Sequence, residues 1–287
     1  MMAAGPLHPG QFTSAVAGRG DAVAQAKAAL NADRPQEAQR IAETVLKTDP
    51  RHGEALYILG CALVMQGRAA DAIAPLEGAA RERRDAETDT MLAIALRQAD
   101  RHDDALARLK RALKRQPSYA PAFYELGHLL SLLKRFDEAI DALRRGLAVA
   151  PMMPELSIRL GNVYLRLRNS SEAKLAFARA LEIAPTSPEA LFGMAKAHQE
   201  IGENAPAAEY FRRYLRSAPD DAGAWLSLGH CLLELGQNDA GHECFRTAGR
   251  GDAKRYGKAL TSLAASARGR FWLKPSAAAQ FMKGAKS

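Results

Sequence analysis

The sequence predicts an all-α protein, an α-solenoid of about seven antiparallel helix pairs, from three observations. Apolar residues between Phe123 and Leu133 are spaced as on one amphipathic helix, and those between Ile140 and Leu147 as on a second. Only residues 134–136 separate the two patterns, so the connection is a tight helical hairpin. Small residues within this pattern then recur along most of the chain with a period of about 34 residues.

The recurring small residues mark two positions at which helix backbones can approach closely, because glycine and alanine carry little or no side chain. One position lies on the first helix of each pair. The other lies on the second helix and recurs in even register from Ala38 to Gly241, with a single step that is one residue shorter. We predict structural repeat positions at Gly60, Ala72, Ala105, Gly127, Ala139, Gly161, Ala173, Ala207 and Gly229.

This pattern resembles the tetratricopeptide repeat (TPR), which has a large residue, Leu-Gly and another large residue on its first helix. Its second helix carries alanine, an aromatic residue or leucine, a second small residue and a closing proline. In residues 120–151 these places are held, in order, by Phe123, Leu126, Gly127, Leu130, Ala139, Leu143, Gly146 and Pro151. The resemblance covers residues 19–253 and implies a right-handed superhelix, of bacterial type, that stands alone without a catalytic domain.

The periodicity divides the chain into three segments. Residues 1–18 contain several Gly and Pro residues with little periodicity, and we predict a mobile N-terminal segment there. Residues 19–253 form the repeat array, and residues 254–287 form a capping helix and a basic C-terminal tail. The predicted repeats, numbered one to seven, are about 19–52, 53–85, 86–119, 120–153, 154–187, 188–221 and 222–253.

The junction between the second and third repeats departs from this register. Arg84 stands where repeats four to six end on proline, and one residue is missing there. Asp89 stands where a bulky residue usually stands, so we expect looser packing in the third repeat. The second helix of that repeat carries five cations with no acid between them, Arg108, Lys110, Arg111, Lys114 and Arg115. We interpret these five cations as a solvated outer face.

Composition limits the classes of protein that this chain can belong to. No apolar run among its 287 residues is long enough to cross a bilayer, so no transmembrane segment is expected. The first residues lack a basic region followed by an apolar one, which predicts a cytoplasmic protein. Three cysteines cannot all pair with one another, and in a chain of this kind they indicate reduced thiols.

The sequence contains no motif that indicates catalysis or a bound cofactor. It has no Walker-type phosphate loop, no glycine-rich dinucleotide turn, no G-x-S-x-G elbow and no H-E-x-x-H zinc helix. Four metal-capable residues lie close together, His230, Cys231, His242 and Cys244. On two antiparallel helices their side chains should diverge, whereas zinc needs four that converge. We therefore expect no enzyme, no cofactor and no metal.

The resemblance to TPR proteins also implies a binding surface, since the first helices of such arrays line the concave face. The residues that project into this groove are predicted to include Tyr57, Tyr124, His128, Asn162, Phe192, Lys196 and His230. Some family members grip a C-terminal carboxylate with a five-residue clamp, to which only Asn162 and Lys196 could correspond. The two clamp lysines would fall on Tyr124 and Phe192. For those two aromatic residues, packing between adjacent first helices remains an equal alternative to ligand contact.

The net charge of +8 belongs to the end of the chain, because residues 1–249 carry equal numbers of acidic and basic side chains. The predicted basic tail includes Arg268, Arg270, Lys274, Lys283 and Lys286. One interpretation is that the tail caps the seventh repeat while its charges keep the protein in solution. The alternative is docking to an acidic partner or an anionic membrane surface. Nucleic acid ranks last as a partner, since the neutral array offers no extended basic track.

Three functions remain open at this point. The leading hypothesis is a non-enzymatic scaffold or adaptor that binds a peptide or protein segment in the concave groove. The second is a regulatory or substrate-docking companion of a separate enzyme, such as a sulfotransferase or a glycosyltransferase, because similar arrays are found fused to both. The third is docking of the basic tail to an anionic surface or to nucleic acid.

Overall fold

The computed structural model describes residues 9–115 and 118–250, together with residues 257, 258 and 261, and within them every regular element is an α-helix. The predicted all-α class is therefore confirmed. The fourteen helices of these residues are α1 Pro9–Asn31, α2 Pro35–Thr48, α3 Gly53–Met65, α4 Ala69–Glu82, α5 Ala86–Gln98, α6 His102–Ala112, α7 Ala120–Leu132, α8 Phe136–Val149, α9 Pro154–Arg166, α10 Ser170–Ile183, α11 Pro188–Glu200, α12 Asn204–Leu215, α13 Ala222–Glu234 and α14 Asn238–Ala248.

The odd-numbered helices are the first helices of the predicted repeats and the even-numbered ones are the second helices. Helix α1 begins at Pro9, before the predicted start of the array at residue 19. The predicted mobile segment thus contains the start of a helix. Of the predicted capping helix only residues 257, 258 and 261 are described, and all three are helical. The tail residues Arg268, Arg270, Lys274, Lys283 and Lys286 lie outside the described residues.

The chain forms two compact units, an N-terminal unit of residues 1–135 and a C-terminal unit of residues 136–287. In the N-terminal unit each helix from α1 to α7 packs on the next, and the first helices α1, α3, α5 and α7 also pack side by side. In the C-terminal unit each helix from α8 to α14 packs on the next, and α9 packs beside α11. Within each unit this arrangement is an α-solenoid, because each helix pair contacts its neighbours in the chain.

One residue with positive φ turns the chain from the first helix to the second in every repeat. These seven residues are Asp33, Gly67, Asp100, Lys134, Arg168, Gly202 and Gly236. The turn needs a left-handed residue, which glycine adopts freely and other residues adopt at a cost. The first helices start on side-chain caps at several repeats: the side chains of Asp85, Ser187 and Asp221 each accept a hydrogen bond from the backbone N–H three residues later.

The core of each repeat forms where small residues let large ones interlock. A Cβ atom on Gly60 would lie 2.3 Å from Leu76, and one on Gly229 would lie 2.8 Å from Phe245. Phe177 is fully buried between two glycines, with Gly161 of its own repeat and Gly193 of the next. The predicted small positions on the second helices are also fully buried, at Ala72, Ala105, Ala139, Ala173 and Ala207.

Candidate functional site

Three polar side chains occupy the same register on the first helices of the C-terminal unit. Asn162 lies on α9, Lys196 on α11 and His230 on α13, one repeat apart from each other, and all three are half-buried. The side chain of Asn162 makes no hydrogen bond in the part of the chain that the structure describes. Its amide therefore keeps two donors and an acceptor for a ligand, which is the pattern that a peptide backbone can match.

Lys196 is held in place by a chain of hydrogen bonds between α11 and α13. Its Nζ donates to Oε1 of Gln199 at 2.9 Å, and Nε2 of Gln199 donates to the carbonyl oxygen of Ser227 at 3.3 Å. An ammonium group has three donors, so at least one remains for another acceptor. Among the described residues Lys196 forms no ion pair. The position of its charge is thus fixed before any ligand arrives, which lowers the entropy cost of binding.

His230 packs on the second helix of its own repeat. Its ring meets the ring of Phe245 edge-on, with 5.0 Å between the ring centroids. Burial lowers the pKa of His230, and the charge of Lys196 lowers it further, while Glu234 acts in the opposite direction. At neutral pH the ring is therefore uncharged, with one nitrogen as a donor and the other as an acceptor.

Phe192, another predicted groove residue, is used mainly for packing inside its repeat. Its ring lies 5.9 Å from Phe211 in an edge contact and 5.0 Å from Tyr214, both on α12. The packing alternative for Phe192 places it between neighbouring first helices, whereas these contacts join the two helices of one repeat. Trp225 and Tyr210 pack against the same buried cluster.

The predicted groove residues of the N-terminal unit are also engaged by neighbours. The guanidinium of Arg83 lies over the ring of Tyr57, 4.2 Å from its centroid, and Cys61 and Glu87 lie near the Tyr57 hydroxyl. Burial, followed by the nearby Cys61 and Glu87, raises the pKa of Tyr57. Tyr124 and His128 lie one turn apart on α7 with their rings 6.5 Å apart. Sequence spacing gave no sign that Arg83 would cover Tyr57.

The three cysteines are buried and unpaired. Burial raises the pKa of Cys61 to about 12 and that of Cys231 and Cys244 to about 11, so all three remain thiols at neutral pH. Cys231 and Cys244 belong to one buried apolar cluster, which contains neither His230 nor His242. In the described ranges no three His, Cys, Asp or Glu side chains come together as a metal site.

The third repeat contains a buried cluster of charges that the sequence did not predict. The Asp89 side chain is only 1% exposed, and Nε of Arg115 donates to its Oδ2 at 2.8 Å. Nε of Arg111 lies 3.4 Å from the same oxygen, and Nη1 of Arg108 lies 3.8 Å from Oδ1. The interpretation of these arginines as a merely solvated face is therefore wrong. Asp89 draws them together because a buried carboxylate needs paired charge.

A signal for this cluster was present in the repeat register. In repeat four Asp89 aligns with Phe123, which is large and apolar, and Arg108 aligns with Ala142, which is small. A large-with-small pair has thus been exchanged for an acid with a long cation. We expected Asp89 to leave this part of the third repeat loosely packed. Its side chain is instead buried and paired with Arg115.

These features define the class of protein as a helical repeat protein whose repeats, of about 34 residues each, present a polar row on the first helices. Profiles of the tetratricopeptide repeat family match residues 23–87, 96–158 and 164–225, more than half of the chain. The chain belongs to the tetratricopeptide repeat family. A search of curated protein sequences finds no match. None of the described helices is long and apolar enough to span a membrane.

Solved structures of other TPR proteins are similar in fold. PilF of Pseudomonas aeruginosa matches with a TM-score of 0.63 and 20% identity, over 72% of this chain and 95% of that chain. A thermophilic TPR protein of Thermus thermophilus matches with a TM-score of 0.55 and 26% identity, over 62% and 98%. YrrB, described as a TPR protein with an unusual peptide-binding site, matches with a TM-score of 0.54 and 23% identity, over 65% and 97%.

Proposed function

We propose that this protein is a non-enzymatic interaction scaffold that binds an extended peptide segment of a partner across the first helices of its C-terminal unit. The observation that carries the proposal is the row of Asn162, Lys196 and His230 at one register on α9, α11 and α13. TPR proteins as a class are protein-interaction modules, and YrrB is described as having a peptide-binding site. Peptide binding by this chain is inferred from these similarities together with the row.

The chemistry of the row suits a peptide better than a single small ion. Asn162 offers both donors and an acceptor, as a peptide group requires, and Lys196 adds a positive charge that favours a carboxylate. The uncharged His230 adds a polar ring without a charge at the next repeat. Phe192, which is packed on Phe211, forms an apolar wall beside the row rather than a separate anchor. The ligand is therefore bound through its backbone and one acidic group.

The test is to purify the bound partner from the native host and measure its affinity for variants of the pure protein. We expect the double variant Asn162→Ala and Lys196→Ala to bind the partner about tenfold or more less tightly, because two hydrogen bonds are lost and one is charge-assisted. Helicity should not change, since both side chains are only half-buried. Isothermal titration calorimetry and circular dichroism measure the two quantities.

The control is a double variant on the second helix α12, Glu209→Ala and Arg212→Ala, which removes an exposed ion pair of the same unit. It should bind the partner as the parent protein does. Equal affinity of the first variant and this control would place the binding surface elsewhere. If the purified partner is an enzyme, a change in its turnover on adding the parent protein would support the role of a regulatory companion instead.

A further inference from the structure

A cleft lies between the second helices α4 and α6 of the N-terminal unit, on the side away from the first-helix contacts. Its volume is about 650 Å³, and the C-terminal half of α4 and the end of α6 line it. A neighbouring cavity of about 660 Å³ continues past the end of α6. Arg84 and Arg115 line both. The two cavities together form one track along the connection between repeats two and three, which we name the arginine cleft.

Positive charge exceeds negative charge in the first part of the arginine cleft. Glu77 and Glu82 are the acids of its lining. The lining cations are Arg81, Arg84, Arg108, Arg111 and Arg115. With Asp89 behind them, three acids face five arginines, which leaves a surplus of two positive charges. In the second cavity Arg83 is paired with Asp85 and Glu87, so the part of the cleft that attracts anions is the first cavity.

Asp89, on α5, holds three of the arginines of the cleft lining in place. It binds Arg115 closely and draws Arg111 and Arg108 toward the same carboxylate. Arg111 approaches Asp89 through Nε while its side chain remains 50% exposed, so its two terminal NH₂ groups are available to a ligand. The buried acid thus positions the arginine forks in the way that a second layer of residues supports a binding site.

Arg81 and Arg84 supply further unused donors. In the described part of the chain neither forms an ion pair, and Arg84 uses only its Nε, in a hydrogen bond of 3.1 Å to the carbonyl oxygen of Arg81. Arg84 has a φ of 52°, a left-handed conformation that is unfavourable for a residue with a side chain. Backbone in this region clusters at binding sites, where the cost is offset by what it positions.

Two regular repeats also carry an arginine at the position of Arg111, and there it is already hydrogen-bonded within the protein. Arg179 and Arg213 stand in repeats five and six at the place of Arg111, and each donates to the carbonyl oxygen of a proline in the preceding repeat. In the second repeat that proline is replaced by Arg84, and Arg111 turns to Asp89 instead. Arg111 thus differs from Arg179 and Arg213, because it approaches a carboxylate through Nε, and in the described residues its terminal NH₂ groups make no hydrogen bond.

We propose that the arginine cleft is a second binding surface, which takes a segment of a partner protein carrying several adjacent aspartate or glutamate side chains. Arginine forks match carboxylates in bidentate geometry. Two cavities joined through Arg84 and Arg115 form a track, which suits an extended acidic segment better than a single compact ion. The second helices line most of the first cavity, and Asp85, Ala86 and Glu87 at the start of α5 line part of the second. Neither cavity is lined by a residue of the peptide row.

The test uses a fluorescein-labelled peptide of six glutamates, with six glutamines as the neutral control, in fluorescence anisotropy over a salt series. We expect the full-length variant Arg84→Gln and Arg111→Gln to bind the glutamate peptide about tenfold or more less tightly than the parent, with a weaker salt dependence. Asp89 keeps Arg115 as its closest partner in this variant, and thermal melting checks that it folds. Should it fail to fold, Arg81→Gln is the substitute, because Arg81 forms no ion pair in the described residues.

Three controls separate this site from other positive surfaces. Arg212→Gln with Arg216→Gln removes two exposed charges from the end of α12 and should leave peptide binding unchanged. Parent and cleft variant are also compared with Asn162→Ala and Lys196→Ala in both, because the peptide row accepts an acidic group as well; a tenfold difference that persists there belongs to the arginine cleft and not to the groove proposal. The comparison is repeated with Arg268, Arg270, Lys274, Lys283 and Lys286 all changed to Gln, so that the basic tail does not contribute. Equal binding by cleft variant and parent, or tighter binding of pyrophosphate than of the peptide at equal ionic strength, overturns the proposal.

Discussion

The arginine at one position of the repeat has different partners in repeats five and six and at the connection between repeats two and three. In the first region Arg179 and Arg213 donate to the carbonyl oxygens of Pro151 and Pro185 at 3.4 Å and 2.9 Å, and each repeat ends on proline. In the second region the equivalent arginine, Arg111, lies 3.4 Å from the buried Asp89. The two regions thus use one arginine position differently, for a hydrogen bond between neighbouring repeats in the first region and for a cluster of charges in the second.

The two regions also differ in what fills the space between helices. Phe177 and Phe211 are fully buried in repeats five and six, and packing there is apolar. In repeat three the equivalent space contains Leu109, of smaller volume, beside the charges around Asp89. Burial of apolar side chains is itself favourable. A buried ion cluster stabilises the fold only by the amount by which its pairing energy exceeds the cost of desolvating the charges. Repeat three should therefore be more sensitive to the loss of a single polar group.

The largest effect that sharpens this comparison is expected from Asp89→Ala. Removing one partner of a buried ion pair costs about 3–5 kcal/mol, and we expect the lower end because Arg111 remains half-exposed. Hydrogen exchange of the α5 and α6 amides measures the local free energy of opening. The double variant Asp89→Leu and Arg108→Ala, which pairs a large apolar residue with alanine as Phe123 and Ala142 do in repeat four, should recover part of this loss. No recovery would mean that the charges are not a replacement for apolar packing.

A smaller loss is expected from Gly193→Ala in the regular region. The new Cβ atom would lie 2.3 Å from the Phe177 ring, which is fully buried and cannot move freely. Overpacking of this kind costs about 1–3 kcal/mol. Urea denaturation followed by circular dichroism measures it. Gly20→Ala is the control, because nothing lies within 4 Å of a Cβ atom there, and an unaltered midpoint for both variants would contradict the described packing.

The smallest effect concerns the backbone at Arg84. Since its φ is 52°, Arg84→Gly should relieve strain and stabilise the protein by about 1 kcal/mol, measured as a rise in melting temperature. Arg84→Pro, which restores the residue of the regular repeats, should destabilise it, because the proline ring does not permit a positive φ. A stable Arg84→Pro variant would show that the connector can adopt the regular geometry, and the contrast between the two regions would lose its basis.

The fold could be predicted from the sequence because its signals are local and repeated. Each small position, such as Gly60 or Gly161, depends on neighbours within one helix pair. Because the pattern occurs in seven repeats, it is recognisable even where a single repeat matches it poorly. The same spacing predicted the shared register of Asn162, Lys196 and His230. The position in the repeat is enough to place a residue on a helix face. For that reason the alignment of these three residues could be predicted from the sequence.

Contacts between side chains of unequal length could not be predicted in this way. Arg115 reaches Asp89 from the far end of the same repeat, and Arg83 covers Tyr57 from the next connection, because a long flexible side chain can reach several positions. Helical spacing placed Phe192 in the groove, yet two aromatic residues on α12 compete for its ring. Spacing alone does not predict a contact where rotamers rather than backbone positions decide it.

The Phe177 ring between Gly161 and Gly193 limits how this array can change by duplication or exchange of single repeats. The place of Gly193 is held by Glu125, Arg159 and Ser227 in repeats four, five and seven. A copy of repeat five inserted before α7 or α9 would place its aromatic ring against the long side chain of Glu125 or Arg159, whereas Ser227 already follows the aromatic Phe211 in the same register. Repeat five can therefore be duplicated only before a first helix that carries a small residue at this place.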